Sequence, residues 1–483
     1  MKKKIALITG PAAFFVLLMV DMQGLEWEGR AVLASTVWIA IWWISEAIPI
    51  AATSLLPVVL FSLTQSVDLK TTTTTYFSPM IMLFLGGFII ALALERWNLH
   101  QRIALNIIKW IGTNSSLIIL GFMLATAFLS MWISNTATAL MMLPIGTAIA
   151  LKISDIQGAS DSKMSMYFTK SLMLSIAYAA SIGGMATLIG TPTNAIFSAI
   201  SLQLYDREVS FYEWFSFGLP VSLILLVLGW IYLTRIRFRT HLKDFDEARS
   251  EIASQVKKLG RLSFEEKAVL TVFSLTALAW ILRSFVLDLW LPGINDTVIA
   301  MTGALALFVI PSRNRKSQIM DWNTAKKLPW GILLLFGGGL TIATGFKVTG
   351  LANWLGSQLV VFEHFPLFTM LFILILLINF FTEITSNVAT ASVLLPVLAS
   401  LAVTMGVHPY GLMIGATLAS SCAFMLPVAT PPNAISYSSG YLSMNDMVRT
   451  GIWMNLITSL IILLCIYFVL PLIWGLDLFT YPF

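Results

Sequence analysis

The chain has 483 residues, of which 58% are hydrophobic and only 11% charged, with a mean hydropathy of +0.85. That balance excludes a soluble globular domain and defines an all-α polytopic membrane protein with no region left for a large soluble domain. The formal net charge of +5 arises from basic residues in short loops beside apolar runs, a pattern that sets membrane orientation rather than nucleic-acid binding.

In chain order, three lysines precede the apolar run Ile5 to Val20, the start of a signal-like segment. No small-residue cleavage site follows before Asp21, so an uncleaved first span over about 5–22 is expected. Spans follow at about 31–48, 49–64 and 79–97, the last carrying Gly86-Gly87, a pair that reads as close helix packing. The next stretch, 117–150, consists of two apolar arms of roughly 16 residues around Ser134-Asn135-Thr136. At 1.5 Å per residue such an arm is only about 25 Å long, short of a 30 Å hydrocarbon core, so a re-entrant hairpin is expected. The segment 171–200 is interrupted at Ile189-Gly190-Thr191-Pro192-Thr193-Asn194, where Pro192 removes a backbone donor and biases Thr191 away from helix. A span at 213–234 leads into the charged stretch 235–267, read as a solvated amphipathic connector.

The second half repeats the plan. Spans are expected at about 268–287, 296–311 and 329–345 (with Gly337-Gly338-Gly339), then a two-armed stretch at 366–403 around Ser386-Asn387. A second broken helix at 410–440 is interrupted at Val428-Ala429-Thr430-Pro431-Pro432-Asn433, and the last span covers 451–474. The reading totals eleven spans and two re-entrant hairpins. Ser134, Asn135 and Pro144 recur as Ser386, Asn387 and Pro396, each 252 residues on (386 − 134), which marks an internal repeat. With the N-terminus cytoplasmic and the C-terminus outside, 24 of the 29 Lys and Arg fall in inside loops and 5 in outside loops. The two hairpins then enter from opposite faces, giving inverted repeats with broken helices, an architecture that places a site at the bilayer midplane.

The tips and breaks supply hydroxyls (Ser130, Ser134, Thr136, Thr191, Thr382, Thr385, Ser386, Thr430), amides (Asn135, Asn194, Asn387, Asn433) and freed carbonyls near Gly190 and Ala429. Neutral oxygens suit a small hard cation, and helix N-termini starting at the same places suit an anion. No Lys or Arg falls in the middle of a span, so co-bound cations and helix dipoles must balance a substrate's charge. Two acids stand in apolar context. Glu46 reads as a hydrogen-bonded anchor beside Pro49; Glu383 must be paired, near a cation, or protonated. The four histidines lack metal-ligand spacing, Cys422 and Cys465 give no disulfide framework, and no hydrolase or ATP-binding motif is present, so no enzyme and no cofactor is expected.

Ser-Glu-Ala-Ile-Pro at 45–49, Ser-Asn-Thr at 134–136, Gly-Thr-Pro-Thr-Asn at 190–194, Ser-Asn-Val at 386–388 and Ala-Thr-Pro-Pro-Asn at 429–433 resemble the divalent anion/sodium symporter (DASS, or INDY) family over nearly the whole chain. The resemblance implies a homodimeric elevator-type transporter. Scaffold helices would lie in 1–110 and 268–360, transport-domain halves in 111–234 and 361–483, and the cytoplasmic connector in 235–267. It implies substrate contacts from Asn135, Thr136, Thr191, Ser386, Asn387, Thr430 and Pro431. One sodium site would use Ser130, Ser134, Asn135 and Gly190, the other Thr382, Thr385, Asn387 and Ala429. Val388 departs from the family's frequent Thr, removing one hydroxyl from the substrate side. The function expected is secondary transport of C4 to C6 dicarboxylates such as succinate, malate, fumarate or 2-oxoglutarate across the cell membrane, coupled to sodium. The alternatives are dicarboxylate exchange without net sodium coupling and, in another class, a cation/proton antiporter using Glu383.

Overall fold

An apolar chain in lipid must satisfy its backbone hydrogen bonds within each segment, and helices do so. The computed structural model describes residues 2–111, 114–157, 162–239, 246–313 and 317–483, and among these the regular elements are helical, with one isolated bridge between Pro311 and Gln318. Seven helices among the described residues are long and apolar enough to cross a bilayer: Leu69–Arg96, Asn135–Ile153, Phe211–Arg237, Phe264–Trp290, Trp330–Val348, Asn387–Met405 and Met444–Trp474. Four shorter apolar helices accompany them, Ile50–Leu63, Ser115–Ser130, Asp296–Val309 and Leu367–Phe381. Polar caps fix many of the starts. Asn114, Ser210 and Asn295 accept from backbone N–H groups of the first turn, and Ser263 with Glu266 and Ser443 with Asp446 form reciprocal capping boxes.

Each two-armed stretch is a helix, a short tip and a returning helix: Ser115–Ser130 with Asn135–Gln157, and Leu367–Phe381 with Asn387–Met405. The entering arms are as short as expected, 16 and 15 residues. The returning arms are longer than expected, 23 and 19 residues, because no breaker stops them where the apolar run ends; Pro144 and Pro396 are accommodated inside the helix.

Both breaks appear where the Thr-Pro pairs place them. Ser162–Gly184 gives way to Pro192–Tyr205, and Pro409–Ser420 to Pro431–Ser438. Thr191 (φ −138°, ψ 141°) and Thr430 (φ −139°, ψ 149°) share one extended conformation, the one a following proline imposes. The half-helices then exchange partners. Pro192–Tyr205 packs against Asn387–Met405 and Pro409–Ser420 of the second half, while Pro431–Ser438 packs against Asn135–Gln157 and Ser162–Gly184 of the first.

One expected loop is a helix. Leu99–Ile111 has an apolar face, with Leu99, Ala104, Leu105 and Ile108 buried, and packs on Ser115–Ser130 and on the connector helix Asp246–Lys258. Arg102 secures it, with Nε 2.7 Å from Glu266 Oε1, and its terminal nitrogens donating to the carbonyls of Leu259 (2.9 Å) and Gly260 (3.0 Å). Between the expected spans 79–97 and 117–150 a loop is expected; the Arg102 charge is instead consumed in holding the connector. Of that connector, residues 240–245, with His241, lie outside the described residues.

The glycine clusters serve close packing. A Cβ on Gly86 would sit 2.7 Å from the Ala300 carbonyl carbon, and one on Gly338 would sit 2.6 Å from the Ser54 carbonyl oxygen. A Cβ on Gly87 would meet only the Ile189 side chain at 3.5 Å, an ordinary contact. Gly86→Ala is therefore expected to destabilise the detergent-solubilised protein by about 1–3 kcal/mol, an overpacking penalty, with Gly87→Ala close to neutral; thermal unfolding of the two variants checks the contrast.

Candidate functional site

The tips and breaks converge on one cavity of about 740 Å³. All seven expected substrate residues, Asn135, Thr136, Thr191, Ser386, Asn387, Thr430 and Pro431, line it. Of the expected cation ligands, Ser134, Asn135, Gly190, Thr385, Asn387 and Ala429 also line it, whereas Ser130 and Thr382 are fully buried behind it.

The buried pair does matching work. Ser130 Oγ lies 2.5 Å from Asn135 Oδ1 and 2.7 Å from the Ala180 carbonyl oxygen; Thr382 Oγ1 lies 2.7 Å from Asn387 Oδ1 and 3.1 Å from the Ser420 carbonyl oxygen. In both halves a hydroxyl at the end of the entering arm lies within donating reach of two acceptors, the tip asparagine's oxygen and a carbonyl near the end of the neighbouring half-helix. Such a hydroxyl donates its one hydrogen and keeps lone pairs for a cation. Glycine concentrates oxygen in the first half: a Cβ on Gly184 would fall 2.7 Å from Asn135 Oδ1 and 3.0 Å from the Gly190 carbonyl oxygen. The donor set of hydroxyl, amide and backbone oxygens fits an alkali cation, and among the described residues no cluster of three His, Cys, Asp or Glu side chains exists to hold a transition metal.

The unwound segments are closed by the second asparagine of each half. Asn194 Nδ2 reaches the carbonyls of Gly184 (3.3 Å), Met185 (3.2 Å) and Thr187 (2.8 Å); Asn433 Nδ2 reaches those of Ala423 and Leu426, both at 3.0 Å. Both amides are fully buried. The cap hydroxyls differ: Thr430 Oγ1 accepts from the Asn433 N–H at 3.3 Å, while Thr191 leaves its helix start uncapped.

Glu383 is buried and sits outside the cavity lining. Its carboxylate accepts from three consecutive backbone amides, Phe424 (2.7 Å), Met425 (2.9 Å) and Leu426 (2.9 Å), and from Asn455 Nδ2 (2.7 Å). Of the three expectations for it, paired, near a cation or protonated, none is decided by these contacts: peptide dipoles and one side-chain amide surround it. The corresponding position of the first half, 252 residues earlier, is Met131, where the Thr187 hydroxyl donates to the Met131 carbonyl at 2.6 Å instead.

Glu46 is not the hydrogen-bonded anchor expected. It ends Trp27–Ser45 in a left-handed conformation (φ 47°, ψ 45°), its side chain is 58% exposed, it lines the cavity, and its carboxylate lies 3.7 Å from Lys3 Nζ. The helix stops at Ser45, so the side chain turns into the cavity mouth instead of packing. Sequence reasoning also missed Ser181 and Ser421, which line the cavity, and Thr193, whose hydroxyl lies 2.8 Å from Ser421 Oγ and links the halves. A signal was available: Ser181 and Ser421 are related by 240 residues (421 − 181), as are the Ala180 and Ser420 carbonyls. Phe88 and Ile332 supply an apolar wall from helices outside the repeated hairpins.

Four helices end facing this region (at Ser130, Gly184, Phe381 and Ser420) and four begin there (at Asn135, Pro192, Asn387 and Pro431), within a multi-pass helical protein. That arrangement defines a membrane transporter, not an enzyme. The chain belongs to the family described as the sodium:sulfate symporter transmembrane region, whose model matches residues 2–475. It is similar to the sodium-dependent dicarboxylate transporter SdcS of Staphylococcus aureus: 47% identity over 480 residues in strains bovine RF122 / ET3-1 and MSSA476, covering 98% of this chain and 92% of the relative. Two solved structures share the fold at low identity. MtrF of Neisseria gonorrhoeae has TM-score 0.56 and 12% identity, over 87% of this chain and 85% of that one. The YdaH transporter of Alcanivorax borkumensis has TM-score 0.57 and 13% identity, over 84% and 87%.

Asn433→Ala strips the donors from two buried carbonyls and is expected to cost about 1–3 kcal/mol. Asn194→Ala, the same deletion in the first half, is expected to cost as much; thermal unfolding in detergent measures both.

Proposed function

We propose that the protein is a sodium-coupled symporter of C4 to C6 dicarboxylates, among them succinate, malate, fumarate and 2-oxoglutarate. The carrying observation is the cavity's charge: among the described residues its lining contains no Lys, Arg or His, and its one charged residue is Glu46 at the mouth. A dianion entering it gains attraction from helix starts at Asn135, Pro192, Asn387 and Pro431, each equivalent to roughly half a positive charge. The helix ends at Ser130, Gly184, Phe381 and Ser420 carry the opposite sign and suit cations. Without those cations the helix-end charges cancel, and the anion's own charge is left uncompensated in a low-dielectric site. Coupling follows from this electroneutrality: the loaded site crosses the membrane and the half-loaded one does not. Two relatives described as sodium-dependent dicarboxylate transporters support the reading.

In this account the substrate touches Asn135, Thr136 and Thr191 on one side and Ser386, Asn387, Thr430 and Pro431 on the other. Ser130, Ser134, Asn135 and Gly190 hold one sodium, and Thr382, Thr385, Asn387 and Ala429 the other. The residue ranges 111–234 and 361–483 move as one transport body against scaffold helices in 1–110 and 268–360, in a homodimer built of inverted repeats. The N-terminus is cytoplasmic, so the cavity mouth beside Lys3 and Glu46 faces the cytoplasm. Glu383 stands behind the second sodium site, one residue from Thr382, and lends it negative potential without facing the substrate. Its burial outside the cavity counts against a proton-carrying antiporter, which needs an acid that water can reach.

In proteoliposomes, an inward sodium gradient is expected to drive succinate uptake; uptake indifferent to sodium but stimulated by internal dicarboxylate would establish exchange instead. Glu383→Gln is expected to raise the sodium concentration for half-maximal uptake roughly tenfold, about 1.4 kcal/mol, while leaving succinate saturable. An abolished proton flux with unchanged sodium dependence in that variant would favour the antiporter.

A further inference from the structure

Away from the transport cavity, a groove of about 630 Å³ runs between two helices and is lined by Tyr232, Ile236 and Arg237 from one and Arg449, Ile452, Trp453 and Ile457 from the other. The positions 449, 452, 453 and 457 fall one turn apart, so one face of Met444–Leu464 supplies that wall. Opposite it, Phe211–Ile231 continues into a π-helical turn, Tyr232–Arg237. The wide turn re-aims its side chains, a feature that recurs at binding sites.

The two arginines share one end of the groove. Arg237 Nε donates to Thr450 Oγ1 at 3.1 Å, next to Arg449 in sequence, and its guanidinium lies 5.0 Å from the Phe238 ring centroid. Arg237 is thereby fixed through one nitrogen while its two terminal nitrogens remain for a ligand, the fork that matches phosphate. Neither arginine has a carboxylate partner among the described residues. The nearest acid along the helix, Asp446, is already taken by Lys170 at 2.8 Å and by Ser443. Below the arginines the walls turn apolar, and Trp453 (59% exposed) and Ile236 (64% exposed) remain open to the surroundings. Over the eight helical rises from Arg449 to Ile457 the groove descends about 12 Å, the upper part of an acyl chain.

We propose that this groove binds an anionic phospholipid, its phosphate on Arg237 and Arg449 and one acyl chain against Ile452, Trp453 and Ile457. Two guanidinium groups without a carboxylate partner at one end of the groove, above an apolar trough, complement an acidic headgroup and its chain and offer a zwitterionic lipid no comparable advantage. The site is independent of the transport cavity, and none of its residues lines that cavity.

The full chain, reconstituted in phosphatidylcholine vesicles, is titrated with phosphatidylglycerol or phosphatidylcholine bearing brominated acyl chains, and tryptophan fluorescence is read. Subtracting the Trp453→Phe variant isolates Trp453 from the chain's 16 tryptophans. Brominated phosphatidylglycerol is expected to quench the Trp453 component at least twofold more than the brominated zwitterionic lipid, and the preference is expected to vanish in the R237Q/R449Q double variant. Arg449→Gln alone, at an exposed position, is expected to reduce it at least by half. Equal quenching by the two lipids in the parent protein overturns the proposal with no variant needed. So does a preference that persists in the double variant or is undiminished in Arg449→Gln.

Discussion

Unwound backbone in the middle of a membrane must find its hydrogen bonds inside the protein, and the organisation of this chain follows from that constraint. Each Thr-Pro pair opens a helix and frees carbonyls that lipid cannot solvate. A buried asparagine, Asn194 or Asn433, bridges the end of one half-helix to the start of the next and closes the break. The hairpin tips are handled alike, with Ser130 and Thr382 fixing Asn135 and Asn387. The half-helices then pack across the molecule, so neither half completes its site alone.

The same economy explains why neutral residues suffice for an ionic task. In the proposed reading, the helix ends and helix starts around the cavity would give separate places for cations and for an anion without an arginine or lysine in the lining. A permanent cationic side chain would hold the anion in the absence of sodium and would have to be desolvated on every empty passage. Ligand charges that leave with the cargo avoid both. The two halves are nonetheless unequal. Glu383 gathers three amides of the second unwound segment, whereas the first is held by the Thr187 hydroxyl; Val388 faces the cavity where the first half has Thr136.

Much of this was legible in the sequence, for a physical reason. Polar residues in apolar surroundings are costly, so Ser134-Asn135, Ser386-Asn387 and the two Thr-Pro breaks stand out, and all of them reach one cavity. What was not legible depends on packing. Leu99–Ile111 carries charges that read as loop until Arg102 is seen to bind Glu266 and the connector's carbonyls. Ser181 and Ser421 look like ordinary small residues of a packed helix, and only the fold shows them lining the cavity. Glu46 reads as a hydrogen-bonded anchor because apolar residues and a helix junction flank it. The left-handed end of its helix turns the side chain toward the cavity mouth, a matter of backbone conformation that composition does not record.

The central claim is that cations complete the anion site, and equilibrium binding tests it without any transport step. Labelled succinate is titrated onto the purified protein in sodium and, at equal ionic strength, in potassium or choline. The account predicts saturable binding whose affinity rises with sodium and disappears when sodium is replaced. Equal affinity in all three salts would contradict it.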